Sequence, residues 1–88
     1  MKPYKEIKVN SKTVIREFDA HHSEEYEWHR DQEDRTVKVL NVGEDWHFQS
    51  DNCLPQLLFP GFVINIKKLV FHRLIKGSGK LTLRVTKL

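Results

Sequence analysis

Two residue types that bind divalent metals stand two positions apart at His29-Arg30-Asp31, within the run Glu27-Trp28-His29-Arg30-Asp31. Tyr26 and Trp28 alternate with polar neighbours, and this period of two predicts a strand over Tyr26–Asp31. On a strand, Glu27, His29 and Asp31 share one face, so an imidazole and a carboxylate can reach the same point. A second imidazole would complete a set of two His and one carboxylate, the facial arrangement that suits Fe(II) with open positions. His72 is the candidate for it. The metal-free alternative has His29 and His72 as satisfied polar residues, hydrogen-bonded to Asp31 or Glu27. The dipeptide spacing alone is a weak signal. With 5 His and 12 acids in 88 residues, chance supplies about 0.7 such pairs, and His22-Ser23-Glu24 is a second one.

Other residues extend this candidate site. Arg35 falls on the same strand face as Val37 and Val39, which points a guanidinium inward. A buried Arg requires a carboxylate partner. If that partner is Asp31, the pair takes the carboxylate from the metal; if it is a bound molecule, Arg35 clamps a carboxylate or phosphate group. Gln49 reads as a donor near the site or as an exposed strand residue. Trp28 and Trp46 either wall a pocket or fill the core. His21 and His22 read as loop residues in solvent.

Strands must position these groups. Thr13–Phe18 is β-rich, with Val14, Arg16 and Phe18 opposite Ile15 and Glu17. Arg35–Val42 alternates most clearly. Trp46–Ser50 alternates again, Trp46 and Phe48 against His47 and Gln49. Leu54–Phe59 contains Pro55 and reads as irregular or an edge. Phe62–Ile66 is apolar on both faces apart from Asn65, as a buried strand would be. Leu69–Ile75 and Lys80–Val85 follow, the latter with Leu81, Leu83 and Val85 inward. No window has sustained helical spacing. About eight short strands with turn signals between them predict an all-β antiparallel barrel or jelly-roll sandwich. One small domain over residues 1–88 accounts for the length, with its core at about 13–86 and residues 1–12 as an edge strand or lead-in.

Composition narrows the classes. No apolar run approaches the ~20 residues of a membrane helix, the N-terminus has no apolar signal region, and the one cysteine, Cys53, fits a reducing compartment. A cytoplasmic location without membrane contact is expected. All 12 acids lie in residues 1–51 beside 8 Lys and Arg, a net −4, whereas residues 52–88 carry 7 Lys and Arg and no acid, a net +7. The basic residues are spaced out, which favours a dipolar domain whose halves fold together over a nucleic-acid surface. Phe71 and Ile75 lie with Arg73 on the face opposite His72, and the apolar strip of Phe71 and Ile75 suggests a homodimer.

These residues resemble the cupin superfamily. Its second motif reads G, five residues, P-x-G, two residues, H, three residues, N; Gly61 and His72 keep the glycine-to-histidine spacing, while Lys67, Leu69 and Lys76 stand at the Pro, Gly and Asn positions. Its first motif reads G, five residues, H-x-H, three or four residues, E, six residues, G. His29 matches the first His, Asp31 stands at the second, Gly43 matches the closing Gly, and Ser23 and Thr36 stand at the opening Gly and the Glu. With Asp31 as carboxylate, the set is similar to the H-x-D…H pattern of iron- and 2-oxoglutarate-dependent oxygenases. The resemblance implies a cupin-type barrel holding Fe(II), or Zn, Mn or Ni, at His29, Asp31 and His72, or a metal-free member that serves as a structural or interaction module. It implies a small, acidic ligand contacted by Arg35, Gln49, Trp28 and Trp46. It spans oxygenases, isomerases and pure binders, so an enzymatic activity is not implied by the fold alone.

Overall fold

The computed structural model describes residues 4–19 and 27–88. Within them the chain forms eight strands and no helix: β1 (Tyr4–Lys8), β2 (Thr13–Phe18), β3 (Arg35–Glu44), β4 (His47–Ser50), β5 (Gln56–Leu57), β6 (Val63–Ile66), β7 (His72–Ile75) and β8 (Ser78–Lys87). Every pairing is antiparallel, in a five-stranded sheet of order β1-β2-β8-β3-β6 and a three-stranded sheet of order β5-β4-β7. The two sheets enclose one apolar layer, a sandwich of jelly-roll type, as the strand pattern predicted.

β8 is the spine. Its alternate residues Leu81, Leu83 and Val85 are almost fully buried. The registers align Val14, Val85, Val37 and Ile64 in one row across four strands. The next row holds Arg16, Leu83 and Val39. A bulge keeps the pattern inward: the register slips between Val39 and Asn41, so Val42 and not Asn41 lies opposite Leu81. Without the extra residue, polar Asn41 would turn into the core. Trp46, with no exposed surface, caps this end of the layer, and its indole N–H donates to the Ser78 carbonyl at 3.1 Å. Two glycines allow the turns there to close, since a Cβ on Gly43 would collide with the Ser78 carbonyl oxygen and one on Gly77 with the Glu44 carbonyl oxygen.

Three sequence expectations change. Tyr26 lies outside the described residues, and in place of a strand to Asp31 only His29 pairs, as an isolated bridge to His72. The ladder stops because Leu69, whose N–H reaches the Asp31 carbonyl at 2.8 Å, has a left-handed φ of 63° that breaks the pleat. For the same reason the strand expected from Leu69 begins at His72. The stretch Phe62–Ile66 is not buried on both faces: Ile64 and Ile66 are buried, while Val63 and Asn65 are exposed, because β6 is a sheet edge with no layer outside it. The acidic and basic halves do fold against each other, with β8 between β2 and β3 and Lys80 paired to Glu17 at 3.2 Å.

Candidate metal centre

His72 opens β7 and alternates with Leu74 into the core; 4% of it is exposed. His29 is bound to it by two backbone hydrogen bonds of 3.0 and 2.8 Å. In such a pair the side chains project to the same side, and the two rings meet edge to face with centroids 4.4 Å apart. Asp31, two residues on, shares the face of His29. The donor atoms of His29, Asp31 and His72 all lie within 4.8 Å of one another. The three residues named from spacing therefore converge, although a full strand is not what aligns them.

Backbone carbonyls set the tautomers. Nδ1 of His72 lies 2.9 Å from the Val70 oxygen, and Nδ1 of His29 lies 2.9 Å from the Glu27 oxygen. A carbonyl only accepts, so each Nδ1 carries a proton and each neutral ring turns its Nε2 lone pair to the other side. His47 makes the same bond to Asp45 without joining a cluster, so the bond by itself signals nothing; the convergence does. Nε2 of His72 stands 3.3 Å from Oδ2 of Asp31. Two acceptors this close require a shared cation, either a proton on His72 or a metal ion. The spacing suits an ion, since bonds of ~2.1 Å at right angles put two ligands about 3 Å apart. Two imidazoles and one carboxylate form the donor set that Fe(II), Zn or Mn accepts, so the residues fit a divalent metal.

Arg35 secures the carboxylate. Its Nη1 lies 3.4 Å from Oδ1 of Asp31, while Nε and Nη2 both donate to Oε1 of Glu33 at 3.1 and 2.7 Å. The bonded guanidinium holds the Glu33 carboxyl below its ordinary pKa, with Lys87 and Arg16 adding to the effect. The sequence posed a choice between an Arg35–Asp31 pair and a metal carboxylate. The structure has the Arg35–Asp31 pair, and that pair leaves the second carboxylate oxygen facing His72. Thr36, which stands at the Glu of the first cupin motif, points away and bonds Asn65.

A cavity of about 50 Å³ lies between the sheets, with His29, Asp31, His72, Arg35 and Arg16 as its polar lining and core side chains around the rest. Phe48 stacks on His72 at 5.8 Å. Of the four residues expected to contact a ligand, Arg35 alone lines this cavity. Trp46 belongs to the far end of the core, because the bulge and the glycine turns draw it there. Gln49 lies on the outer face, accepting from Arg73 Nε at 3.0 Å and donating to the Cys53 carbonyl. Arg73 in turn stacks on the exposed Trp28 at 4.8 Å. Arg16 and Glu33 were missed. Arg16 did carry a signal, a guanidinium on the same strand face as Val14 and Phe18; Glu33 carried none, since a turn has no face to read.

No protein-family model and no curated protein matches the sequence. Solved structures do match in fold. A Ralstonia eutropha protein provisionally described as a mannose-6-phosphate isomerase superposes with a TM-score of 0.72 at 13% identity, covering 96% of this chain and 81% of that one. Fe(II) HppE superposes at 0.66 with 16% identity, over 86% of this chain and 41% of its own. A cupin domain from Bordetella pertussis superposes at 0.62 with 15% identity, over 100% of this chain and 97% of its own. Two facing antiparallel sheets that follow a cupin domain from end to end make this chain a member of the cupin fold.

Proposed function

We propose that this protein is a small-molecule-binding cupin that holds a divalent metal, Fe(II) foremost, through Nε2 of His29, Nε2 of His72 and a carboxylate oxygen of Asp31. The observation that carries the reading is the convergence of these three groups in a cavity, with both Nδ1 atoms already tied to carbonyls. The fold likeness to Fe(II) HppE supports iron as the first metal to test. The bound metal supplies open coordination positions and Lewis acidity to a small ligand. The chain's own residues do the rest. Val70 and Glu27 carbonyls orient the imidazoles, Arg35 fixes the carboxylate, and Phe48 with the apolar lining limits water.

A metal-free reading, in which the cupin serves as a structural or interaction module, has one observation in its favour. Asp31 bridges Arg35 and His72, so the network is complete with a proton on His72. Metal analysis of tag-free protein beside His72→Ala separates the two. Near-stoichiometric metal in the wild type and its loss in the variant supports the centre. No metal in either, after anaerobic reconstitution with Fe(II) and with Zn(II), overturns it and leaves the network as structural.

A further inference from the structure

We infer that the concave face of the β1–β2 hairpin is a phosphate-binding pocket for the molecule that the metal centre serves. This rests on the reading of that centre only for its second half, the link to the centre. The five-stranded sheet is wider than the three-stranded sheet opposite. Its overhang leaves the inner face of β1 uncovered, and the register puts Glu6 beside Arg16 and Lys8 beside Val14 on that face. The hairpin turn is pinned by Asn10, whose Oδ1 accepts from the Lys12 and Thr13 amides at 2.9 Å each. The Lys12 carbonyl then accepts from the Lys87 amide at 2.8 Å, which brings the two lysines together.

The result is a cavity of about 350 Å³ whose charged lining is Lys8, Lys12, Arg16 and Lys87 against Glu6, with Ser11 at the turn. Glu6 is engaged by Arg16 Nε at 3.1 Å. Lys87 reaches Glu33 only at 3.8 Å, and Lys8 and Lys12 make no ion pair among the described residues. A concave wall with uncompensated ammonium groups concentrates a small dianion, and lysines bind phosphate as point charges. Arg16 connects the pocket to the centre. Its side chain is 15% exposed and lies over the Tyr4 ring at 4.5 Å, and it lines both this pocket and the cavity of His29, Asp31 and His72. Its two terminal nitrogens have no acceptor among the described residues. A phosphate on the hairpin thus sits one arginine away from the metal ligands.

The test is a titration of the whole, EDTA-treated protein with inorganic phosphate, followed by amide chemical shifts at constant ionic strength. Saturable shifts at Ser11, Lys12 and Lys87 with a dissociation constant on the order of 1 mM are expected. They weaken at least about tenfold in Lys8→Gln/Lys12→Gln and persist in Lys80→Gln, which removes a charge from the opposite face of the sheet. Shifts that do not saturate, that are equal in the double variant, or that succinate reproduces at the same concentration overturn the assignment. Because metal is absent throughout the titration, its outcome is independent of the metal analysis of untreated and reconstituted protein: phosphate binding with no metal in that analysis refutes the centre and keeps the pocket, and metal there without phosphate binding does the reverse.

Discussion

Asp31 is the residue on which the candidate chemistry turns. One oxygen is held by Arg35 and the other faces His72. Asp31→Asn keeps the shape and removes the charge. It is expected to abolish metal retention while the protein stays folded, read by metal analysis beside circular dichroism. A folded variant with unchanged metal content would remove Asp31 from the ligand set. Leu69 makes a different point. Its φ of 63° falls where the second cupin motif has glycine, and half of the side chain is in solvent. A left-handed non-glycine residue costs about 1–2 kcal/mol, and the greater freedom of unfolded glycine returns part of that. Leu69→Gly is therefore expected to raise stability by about 0.5–1 kcal/mol, measured by urea denaturation. A loss would mean that Leu69 is held by packing that outweighs its backbone.

At the scale of elements, the β3–β8 pair decides whether the core closes. Both strands run ten residues, and their bulge puts Val42 over Leu81. Gly43 follows at once, with no room for a Cβ against the Ser78 carbonyl. Gly43→Ala must push the two backbones apart and is expected to cost about 3 kcal/mol or more, against about 1–2 kcal/mol for the same change at Gly61, where a Cβ meets nothing but φ is 88°. An effect at Gly43 no larger than that at Gly61 would show that the two strands yield to the extra carbon and that close approach does not govern the position. The hairpin of β1 and β2 depends on a single side chain. Asn10→Ala removes both bonds to the turn amides and is expected to cost about 1 kcal/mol, seen as faster amide exchange at Lys12 and Thr13 than elsewhere in β2.

For the whole molecule, the centre joins elements far apart in sequence, because His29 and Asp31 precede β3 while His72 opens β7 of the other sheet. An ion bound there stabilises the folded state by mass action, about 2.7 kcal/mol at a hundred times its dissociation constant. In a chain of this size that raises the melting temperature by roughly 10–20 °C. The shift is expected in wild type and absent in Asp31→Asn. Charge behaves at this scale as well. β8 of the basic second half lies between β2 and β3 of the acidic first half, and lysines of both halves, Lys8, Lys12 and Lys87, gather at the hairpin pocket.

The amino-acid sequence by itself determined the strand class, because period-two alternation at Thr13–Phe18, Arg35–Val39 and Lys80–Val85 survives in any context that buries one face. It also singled out His29, Asp31 and His72, since residue type and strand parity are local properties that the motif spacing then tied together. Only the tertiary structure decided what each group is for. Arg35 shares Asp31 with His72 because a carboxylate has two oxygens, which spacing does not express. Gln49 and Trp28 meet Arg73 on the outer face, and Trp46 fills the end of the core, because β4 pairs with β7 and not with β3. The overhang that leaves Arg16 and the hairpin lysines lining a pocket follows from five strands facing three, a mismatch between sheets that no single stretch of sequence contains.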